Sequence, residues 1–245
     1  MKLIAVYNIK GGVGKTATAV NMAYTSAISQ NRTLLVDLDP QGASTFYFNI
    51  NQGIDGKLKK VFFGSADLND SIKNTEYENL DILPADPKMV KLDLLLNELG
   101  KNKNWLGKLF SQVKKHYDVI IFDCPPTLSN LADNIFKNVD IVLVPVIPTP
   151  LSIRTYEQLK DYFKSNKYDL KKLTPFFSMV DRRKTMHYGN QLDFRMQHKE
   201  ALDIAIPYSS DIEKMGEYMA PFVKKYGYTE AGESYYKLWK TVAKK

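Results

Sequence analysis

Near the start of the chain, an apolar run at residues 3–7 leads into a glycine-rich loop and a helical pattern. The loop reads Lys10-Gly11-Gly12-Val13-Gly14-Lys15-Thr16. Glycines let successive backbone N–H groups turn toward phosphate oxygens, and the following helix adds the positive end of its dipole. A strand, such a loop and a helix in this order predict a phosphate-binding loop. We expect Lys15 to reach the β- and γ-phosphates and the Thr16 hydroxyl to bind Mg²⁺.

Short apolar runs alternate with longer helical patterns along the rest of the chain. The predicted strands lie at residues 3–7, 33–36, 80–83, 119–122, 141–146, 176–180 and 204–206, and the predicted helices at 15–29, 89–98, 104–116, 129–137, 153–163, 190–200 and 230–243. Continuous apolar runs are typical of strands covered on both faces. The pattern predicts one α/β domain over residues 1–245, with a doubly wound, mostly parallel sheet of about seven strands flanked by helices. Loops and short helices are expected at 49–79.

Composition narrows the class of protein. The 245 residues are 44% hydrophobic and 25% charged, which is typical of a soluble globular chain. A single cysteine, Cys124, excludes an internal disulfide. No apolar run approaches the roughly 20 residues of a membrane span, and no signal peptide precedes the first strand, so we expect a cytoplasmic protein. The net charge is +7, and residues 151–245 hold 18 Lys or Arg against 12 Asp or Glu.

The phosphate loop departs from the ordinary pattern G-x-x-x-x-G-K-[ST], which would place a glycine where this chain has Ile9 and does not predict Lys10. With its second lysine the loop resembles the deviant Walker A loop of the ParA/MinD family of P-loop ATPases. The resemblance implies that Lys10 reaches across a dimer interface to the other subunit's nucleotide. It also implies that the cofactors are ATP and Mg²⁺, that hydrolysis is slow, and that the loop through Ala17 contacts the nucleotide.

Two apolar runs end in aspartates, as expected where Mg²⁺ and an attacking water are held beside a phosphate. Residues 34–42 read LLVDLDPQG and resemble the switch I segment of the family, which gives Asp39 the role of positioning the water. We expect Asp37 to support the loop or the Mg²⁺ shell. Residues 120–126 read IIFDCPP and resemble its Walker B strand and switch II, so Asp123 is expected to hold Mg²⁺ through water. The catalytic candidates are Lys10, Lys15 and Asp39, and the Mg²⁺ candidates are Thr16, Asp39 and Asp123.

The resemblance continues beyond these motifs. Residues 145–151 are similar to the family's strand and loop after Walker B, and residues 179–183 to a segment near the adenine. Residues 206–207, an Ile-Pro pair, match its later base-pocket strand. We therefore expect Met179 and Pro207 to contact the adenine.

Branches of this family differ in what accompanies the shared core. Iron–sulfur carriers need several cysteines for their cluster, so the lone Cys124 excludes that branch and is expected to be structural. A MinD-like protein carries an amphipathic C-terminal helix for the bilayer surface. Here Tyr235, Leu238, Trp239 and Val242 share one helical face, which we expect to dock on the sheet as the final helix. A membrane-surface regulator like MinD is the alternative function, and a metallochaperone-type ATPase would need a metal site shared across a dimer.

The ParA branch implies ATP-bound homodimers that bind DNA without sequence preference and leave it when a ParB-like or other adaptor protein stimulates hydrolysis. Such a protein is nucleoid-associated, and its cargo is a plasmid, a chromosome or a protein assembly. The basic excess fits a polyanionic partner. The DNA-binding candidates are Arg182, Arg183, Lys184, Arg195, Lys199, Lys224 and Lys225. The family has Asn and Arg after its Ile-Pro strand, where this chain has an acidic Asp211 instead of a cation. Because the first strand comes at once, we expect no N-terminal helix-turn-helix domain.

Overall fold

Eight strands form one sheet in the computed structural model, which describes residues 1–54, 58–62, 66–92, 94, 96 and 104–245. The strands are β1 (Lys2–Val6), β2 (Thr33–Asp37), β3 (Lys73–Asn74), β4 (Leu80–Leu83), β5 (Val119–Asp123), β6 (Ile141–Val146), β7 (Leu173–Val180) and β8 (Ala205–Pro207). Their order is β3-β4-β2-β5-β1-β6-β7-β8, and only the β3–β4 pair is antiparallel. Strands β2 to β5 lie on one side of β1 and β6 to β8 on the other, which confirms the predicted doubly wound α/β fold.

Helices of very different length connect the strands. Within the described residues they are α1 (Lys15–Ile28), α2 (Ala43–Tyr47), α3 (Leu58–Phe62), α4 (Trp105–Ser111), α5 (Asn130–Asn138), α6 (Pro150–Ser165), α7 (Thr185–Gln197), α8 (Ser210–Glu213), α9 (Met215–Tyr218), α10 (Phe222–Tyr226) and α11 (Glu230–Ala243). Short 3₁₀ turns lie at Asn69–Ser71, Pro87–Lys91 and Leu170–Lys172.

Three strands at the centre of the sheet are buried along their whole length because apolar helix faces cover both sides of the sheet. Every residue of β2, β5 and β6 is buried. On one side, α1 and α11 pack against β1, so that Ala23 and Leu238 share a cluster with Ile4. On the other side, Phe136 of α5 and Phe163 of α6 join a second cluster. Continuous apolar strands therefore mark the centre of the sheet, as the sequence predicts.

Register brings the ends of three strands to one level. β5 pairs Asp123 with Val6 of β1 on one side and with Asp37 of β2 on the other. The loops that follow these strands therefore leave the same edge of the sheet. Ligands of open α/β sheets bind at this carboxyl edge, beside the point where the strand order changes direction. In this sheet that point is β1, because β5 and β6 lie on its opposite sides.

The structure adds one strand to the seven predicted and lengthens another. β3 lies in the 49–79 segment, together with α3 and a 3₁₀ turn, and has only two residues. β7 begins at Leu173, three residues before the prediction, and includes Pro175. Proline fits there because β8 is short and pairs only with the later part of β7.

Several helix boundaries also differ from those predicted. α6 begins earlier, with Pro150 in its first turn, and α7 runs from Thr185 to Gln197 instead of 190–200. The helix expected at 104–116 ends at Ser111. For the helix expected at 89–98, residues 87–91 form a 3₁₀ turn, and 93, 95, 97 and 98 lie outside the described residues.

The last helix has the predicted bounds, and its apolar face docks on the sheet. Tyr235, Leu238, Trp239 and Val242 are at most 4% exposed. Lys2 donates from Nζ to the carbonyl oxygens of Val242 and Ala243 at 3.1 and 2.7 Å, which satisfies the end of the helix. In the described part of the chain, no helix has the length and apolarity needed to cross a bilayer.

Candidate nucleotide site

The phosphate loop joins β1 to α1 and needs glycine at two of its positions. Gly12 and Gly14 have φ values of 70° and 85°, in the left-handed region that side chains disfavour. A Cβ atom built on Gly11, Gly12 or Gly14 would meet no atom within 4 Å. The loop therefore faces open space, as a cradle for phosphate oxygens requires.

Two polar side chains outside the motif hold the loop in place. Asn8 is 1% exposed; its Nδ2 donates to the carbonyl of Pro145 in β6 at 2.8 Å, and its Oδ1 accepts from Lys10 N at 2.9 Å. Ser178 of β7 donates to the carbonyl of Val13 at 2.8 Å. Sequence reasoning missed both residues. Asn8 gives a faint signal as a polar residue between strand and loop, whereas Ser178 gives none because its partner is 165 positions away.

The two loop lysines are placed differently. Lys15 is only 8% exposed, and its Nζ donates to the carbonyl of Lys10 at 3.0 Å. Burial lowers the pKa of Lys15, and the carboxylates of Asp123 and Asp39 oppose that shift. Lys10 is half-buried, and its ammonium group makes no hydrogen bond or ion pair within the described ranges. Lys15 thus points into the loop, and Lys10 has a free charge.

A pair of buried carboxylates lies beneath the loop. Asp37 Oδ2 accepts from the backbone N and the hydroxyl of Thr45 at 2.8 and 2.7 Å, and its Oδ1 accepts from Asp39 N at 3.3 Å. Burial and the Asp123 charge raise the pKa of Asp37. Asp37 therefore supports the loop between β2 and α2, as expected.

Asp123 shares this environment and is fully enclosed. Its Oδ2 accepts from Ser44 Oγ at 2.7 Å. Burial raises the pKa of Asp123, while the Ser44 and Thr16 hydroxyls and the Lys15 charge oppose the rise. Next to it, Cys124 is buried, and burial raises the pKa of its thiol, as fits a structural residue.

The carboxylate of Asp123 and the hydroxyl of Thr16 fit a magnesium ion. Oδ1 of Asp123 is buried and accepts no hydrogen bond of normal geometry from the described residues. An orphaned carboxylate oxygen beside a hydroxyl and an open phosphate cradle suits Mg²⁺, which uses few protein oxygens and keeps waters and phosphate as its other ligands. The part of the chain that the structure describes has no group of three or more His, Cys, Asp or Glu suited to a metal.

A cavity of about 340 Å³ extends from the loop. Asp39 lies at its side, half-buried, with Oδ1 accepting from Gln41 N at 3.0 Å. Met179 and Pro207 also line it, and Met179 has a positive φ of 52°. Further lining residues that sequence reasoning missed are Tyr47, Pro126, Tyr208, Ser209, Ile212, Glu213 and Tyr235. The cavity is of ligand-pocket size, and its lining combines the phosphate loop with apolar and aromatic side chains.

The seven basic candidates do not form one patch. Arg182, Arg183 and Lys184 follow β7 at the carboxyl edge of the sheet, whereas Arg195 and Lys199 lie around the end of α7, close to the start of β8. Lys224 contacts Glu76 and Tyr77, just before β4, and Lys225 stacks on Tyr218 and Tyr226. Ion pairs also join Arg182 to Glu230, Arg183 and Lys184 to Asp181, and Arg195 to Asp203.

The fold and the loop together define a P-loop nucleotide triphosphatase. A family model described as an AAA domain matches residues 1–174. The sporulation initiation inhibitor protein Soj of Bacillus subtilis strain 168 is 39% identical over 146 residues, which are 59% of this chain and 58% of Soj. The virulence plasmid ParA family protein of Chlamydia psittaci is 32% identical over 184 residues, 75% of this chain and 71% of that protein. The chain belongs to the ParA/MinD family of P-loop ATPases.

A solved structure shows the same fold over nearly the whole chain. A variant of McdA from Cyanothece, in complex with ATP, superposes with a TM-score of 0.85 at 16% identity, covering 99% of this chain and 96% of McdA. The resemblance in fold thus extends past residue 174 into the segment that holds α7, β8 and α11.

Proposed function

We propose that the chain is a ParA-type ATPase that forms a homodimer on Mg·ATP, binds DNA without sequence preference, and positions or segregates a cargo through partner-stimulated hydrolysis. The observation that carries this proposal is the free ammonium group of Lys10. The carbonyl of Lys10 holds Lys15 inside the loop, while its own side chain is half-exposed and unpaired among the described residues. A cation so placed can neutralise phosphate charge on a nucleotide in a facing subunit.

The cofactors are ATP and Mg²⁺. Backbone N–H groups of Gly11 to Thr16 hold the phosphates, Lys15 neutralises their charge, and Thr16 and Asp123 hold the metal, which withdraws charge from the phosphates when bound. Met179 and Pro207 line the same cavity, which supports assigning them the contacts with the adenine. Asp39, fixed by the N–H of Gln41, orients the water for in-line attack. Turnover by the chain alone is slow, and an adaptor protein of the ParB type raises it.

Closure of the dimer joins basic residues of two subunits. Arg182, Arg183 and Lys184 lie at the edge of the sheet that carries the nucleotide cavity. Dimer closure around the nucleotide would therefore bring these basic residues of the two subunits together more readily than the other candidates. Lys199 is exposed and adds a positive charge later in the segment that connects β7 to β8. DNA binding would place the protein on the nucleoid, in the cytoplasm, with its cargo held through the adaptor.

The decisive experiment measures binding to a non-specific duplex with ATP, with ADP and without nucleotide, at low and moderate salt, with the oligomeric state measured in parallel. We expect wild type to dimerise and bind only with ATP, and to lose affinity as salt rises. Lys10→Ala should bind ATP but form neither the dimer nor the DNA complex. Lys171→Ala, which removes an exposed lysine elsewhere, is the control.

DNA binding that is indifferent to nucleotide, combined with ATP-dependent binding to anionic vesicles, would replace this proposal with the MinD-like alternative. The structure supports DNA over the bilayer, because the apolar face of α11 is already buried against the sheet.

A further inference from the structure

We propose a second binding site, for a phosphate group, at the amino end of α7. A cavity of about 510 Å³ opens there, lined by residues that include Asp181, Arg182, Lys184, Thr185 and His187. None of these five lines the nucleotide cavity. The proposal does not depend on DNA binding by the protein.

The start of the helix has unsatisfied backbone donors, and Thr185 of its first turn lines the cavity. α7 has 13 residues, no side-chain cap at Lys184 and no acidic residue in its first turn. The N–H groups of Thr185 and Met186 have no acceptor within the described ranges. Uncapped N–H groups and the helix dipole together favour an anion.

His187 supplies a second and independent donor. It is only 3% exposed, lines the cavity, and its Nδ1 accepts from Asp181 N at 3.0 Å. The proton of the neutral ring is therefore on Nε2. Burial lowers the pKa of His187, which favours this neutral form. No acceptor for Nε2 exists among the described residues, so the one free donor of this nearly buried ring is left to water or to a ligand.

The charges around the cavity favour an anion once their pairings are considered. The one carboxylate among the lining residues, Asp181, is held by Arg183, which donates to both of its oxygens at 2.9 Å, and Lys184 lies 3.9 Å away. Arg182 pairs with Glu230 at the exposed start of α11. Lys184 is 59% exposed and can turn toward a ligand.

These donors match phosphate better than a carboxylate. The candidate donors are two backbone N–H groups, the imidazole Nε2, the Thr185 hydroxyl and the Lys184 ammonium group. A tetrahedral phosphate offers three or four acceptor oxygens, whereas a carboxylate offers two in one plane. The site also neighbours the nucleotide cavity, because Met179 there directly precedes Val180 and Asp181 here, and Tyr208 N donates to Val180 O at 2.9 Å.

The test uses the imidazole signals of ¹⁵N-labelled protein, which contains only three histidines. Saturating Mg·ADP fills the phosphate loop, and inorganic phosphate is titrated against chloride at constant ionic strength. We expect His187 Nε2 to shift saturably while His116 and His198 stay fixed. No shift at His187, or equal and linear shifts of all three, would overturn the proposal.

Variants of Lys184 separate binding from folding. Lys184→Asp removes the cation and caps α7, so it should keep or raise the Tm without phosphate and abolish the His187 response. Lys184→Arg should keep the response, and Lys171→Asp, at an exposed site elsewhere, should leave it unchanged. A full response in Lys184→Asp would contradict the site.

Duplex DNA then identifies the source of the phosphate. If DNA competes with inorganic phosphate at His187, the site binds a backbone phosphate; if the protein binds DNA while His187 still responds, the ligand is a free phosphate ester. Absence of DNA binding with an intact His187 response would reject only the proposed function.

Discussion

Ser44 donates from Oγ to Oδ2 of Asp123 at 2.7 Å, and this buried bond connects α2 with the carboxyl end of β5. Neighbouring Thr45 makes the equivalent bond to Asp37. The segment that carries Asp39 is therefore held at its far end by two buried carboxylates.

Loss of the Ser44 hydroxyl should destabilise the protein. Ser44→Ala leaves a buried carboxylate short of a donor, and we expect the free energy of unfolding to fall by about 1–3 kcal/mol. Denaturant unfolding measures the change. Ser71→Ala is the matched control, because Ser71 is equally buried but its hydroxyl has no partner in the described part of the chain. Equal stability of the two variants would refute the role given to Ser44.

Asn8 should matter for nucleotide affinity as well as for stability. Asn8→Ala removes the bonds to Pro145 O and Lys10 N, so the phosphate loop loses its connection to β6. We expect roughly tenfold weaker ATP binding and a loss of about 1–3 kcal/mol in unfolding free energy. Asn166→Ala, which removes an exposed asparagine bonded to Tyr162 O, should change neither. Calorimetric titration with ATP gives the affinity.

Two loop glycines should respond differently to alanine. Gly12 has a positive φ, so Gly12→Ala should cost about 1–2 kcal/mol of stability and weaken ATP binding. Gly11 has no positive φ and an open Cβ position, so Gly11→Ala should keep its stability and lose affinity only. Thermal unfolding without nucleotide distinguishes the two variants. Similar losses of Tm in both would show that the positive φ of Gly12 does not cause the destabilisation.

Gly189 in α7 offers a stabilising change. A Cβ there meets nothing within 4 Å, and alanine is the better helix former, so Gly189→Ala should add about 0.5–1 kcal/mol. In α11, by contrast, a Cβ on Gly232 would collide with the backbone of Tyr226 and Gly227. Gly232→Ala should therefore destabilise the fold. Opposite shifts in Tm are the expected result, and a loss for both would contradict it.

Glu200 should make stability fall in acid. Burial alone would raise its pKa, but hydrogen bonds from Lys160 and Tyr156 and the Lys160 charge lower the pKa of Glu200 to about 2. A carboxyl group with a lowered folded pKa stabilises above its unfolded pKa, near 4.5, and this contribution disappears as pH falls toward 2.

The matching experiment follows unfolding free energy between pH 7 and pH 2. Glu200→Gln should be less stable than wild type at pH 7, and the difference should shrink in acid. Glu217→Gln, at an exposed glutamate, is the control and should show no such pH dependence. A constant difference at all pH values would mean that packing, and not ionisation, causes the effect.

Contiguous segments were enough to predict the phosphate loop, the aspartates at the ends of β2 and β5, and the bounds of α11. Each depends on local backbone demands or on an apolar pattern that one segment contains. Short elements such as β3 and α8 were missed, because two to four residues give no measurable periodicity.

How distant segments come to share one site depends on the folded arrangement of the chain. Asn8 with Pro145, Ser178 with Val13 and Ser44 with Asp123 are pairs separated by 79 to 165 positions. The sequence pattern also did not predict the uncapped start of α7 or the wide separation of the basic residues. A sequence pattern records what each segment can form, whereas burial, pairing of charges and unsatisfied donors depend on which segments the fold brings into contact.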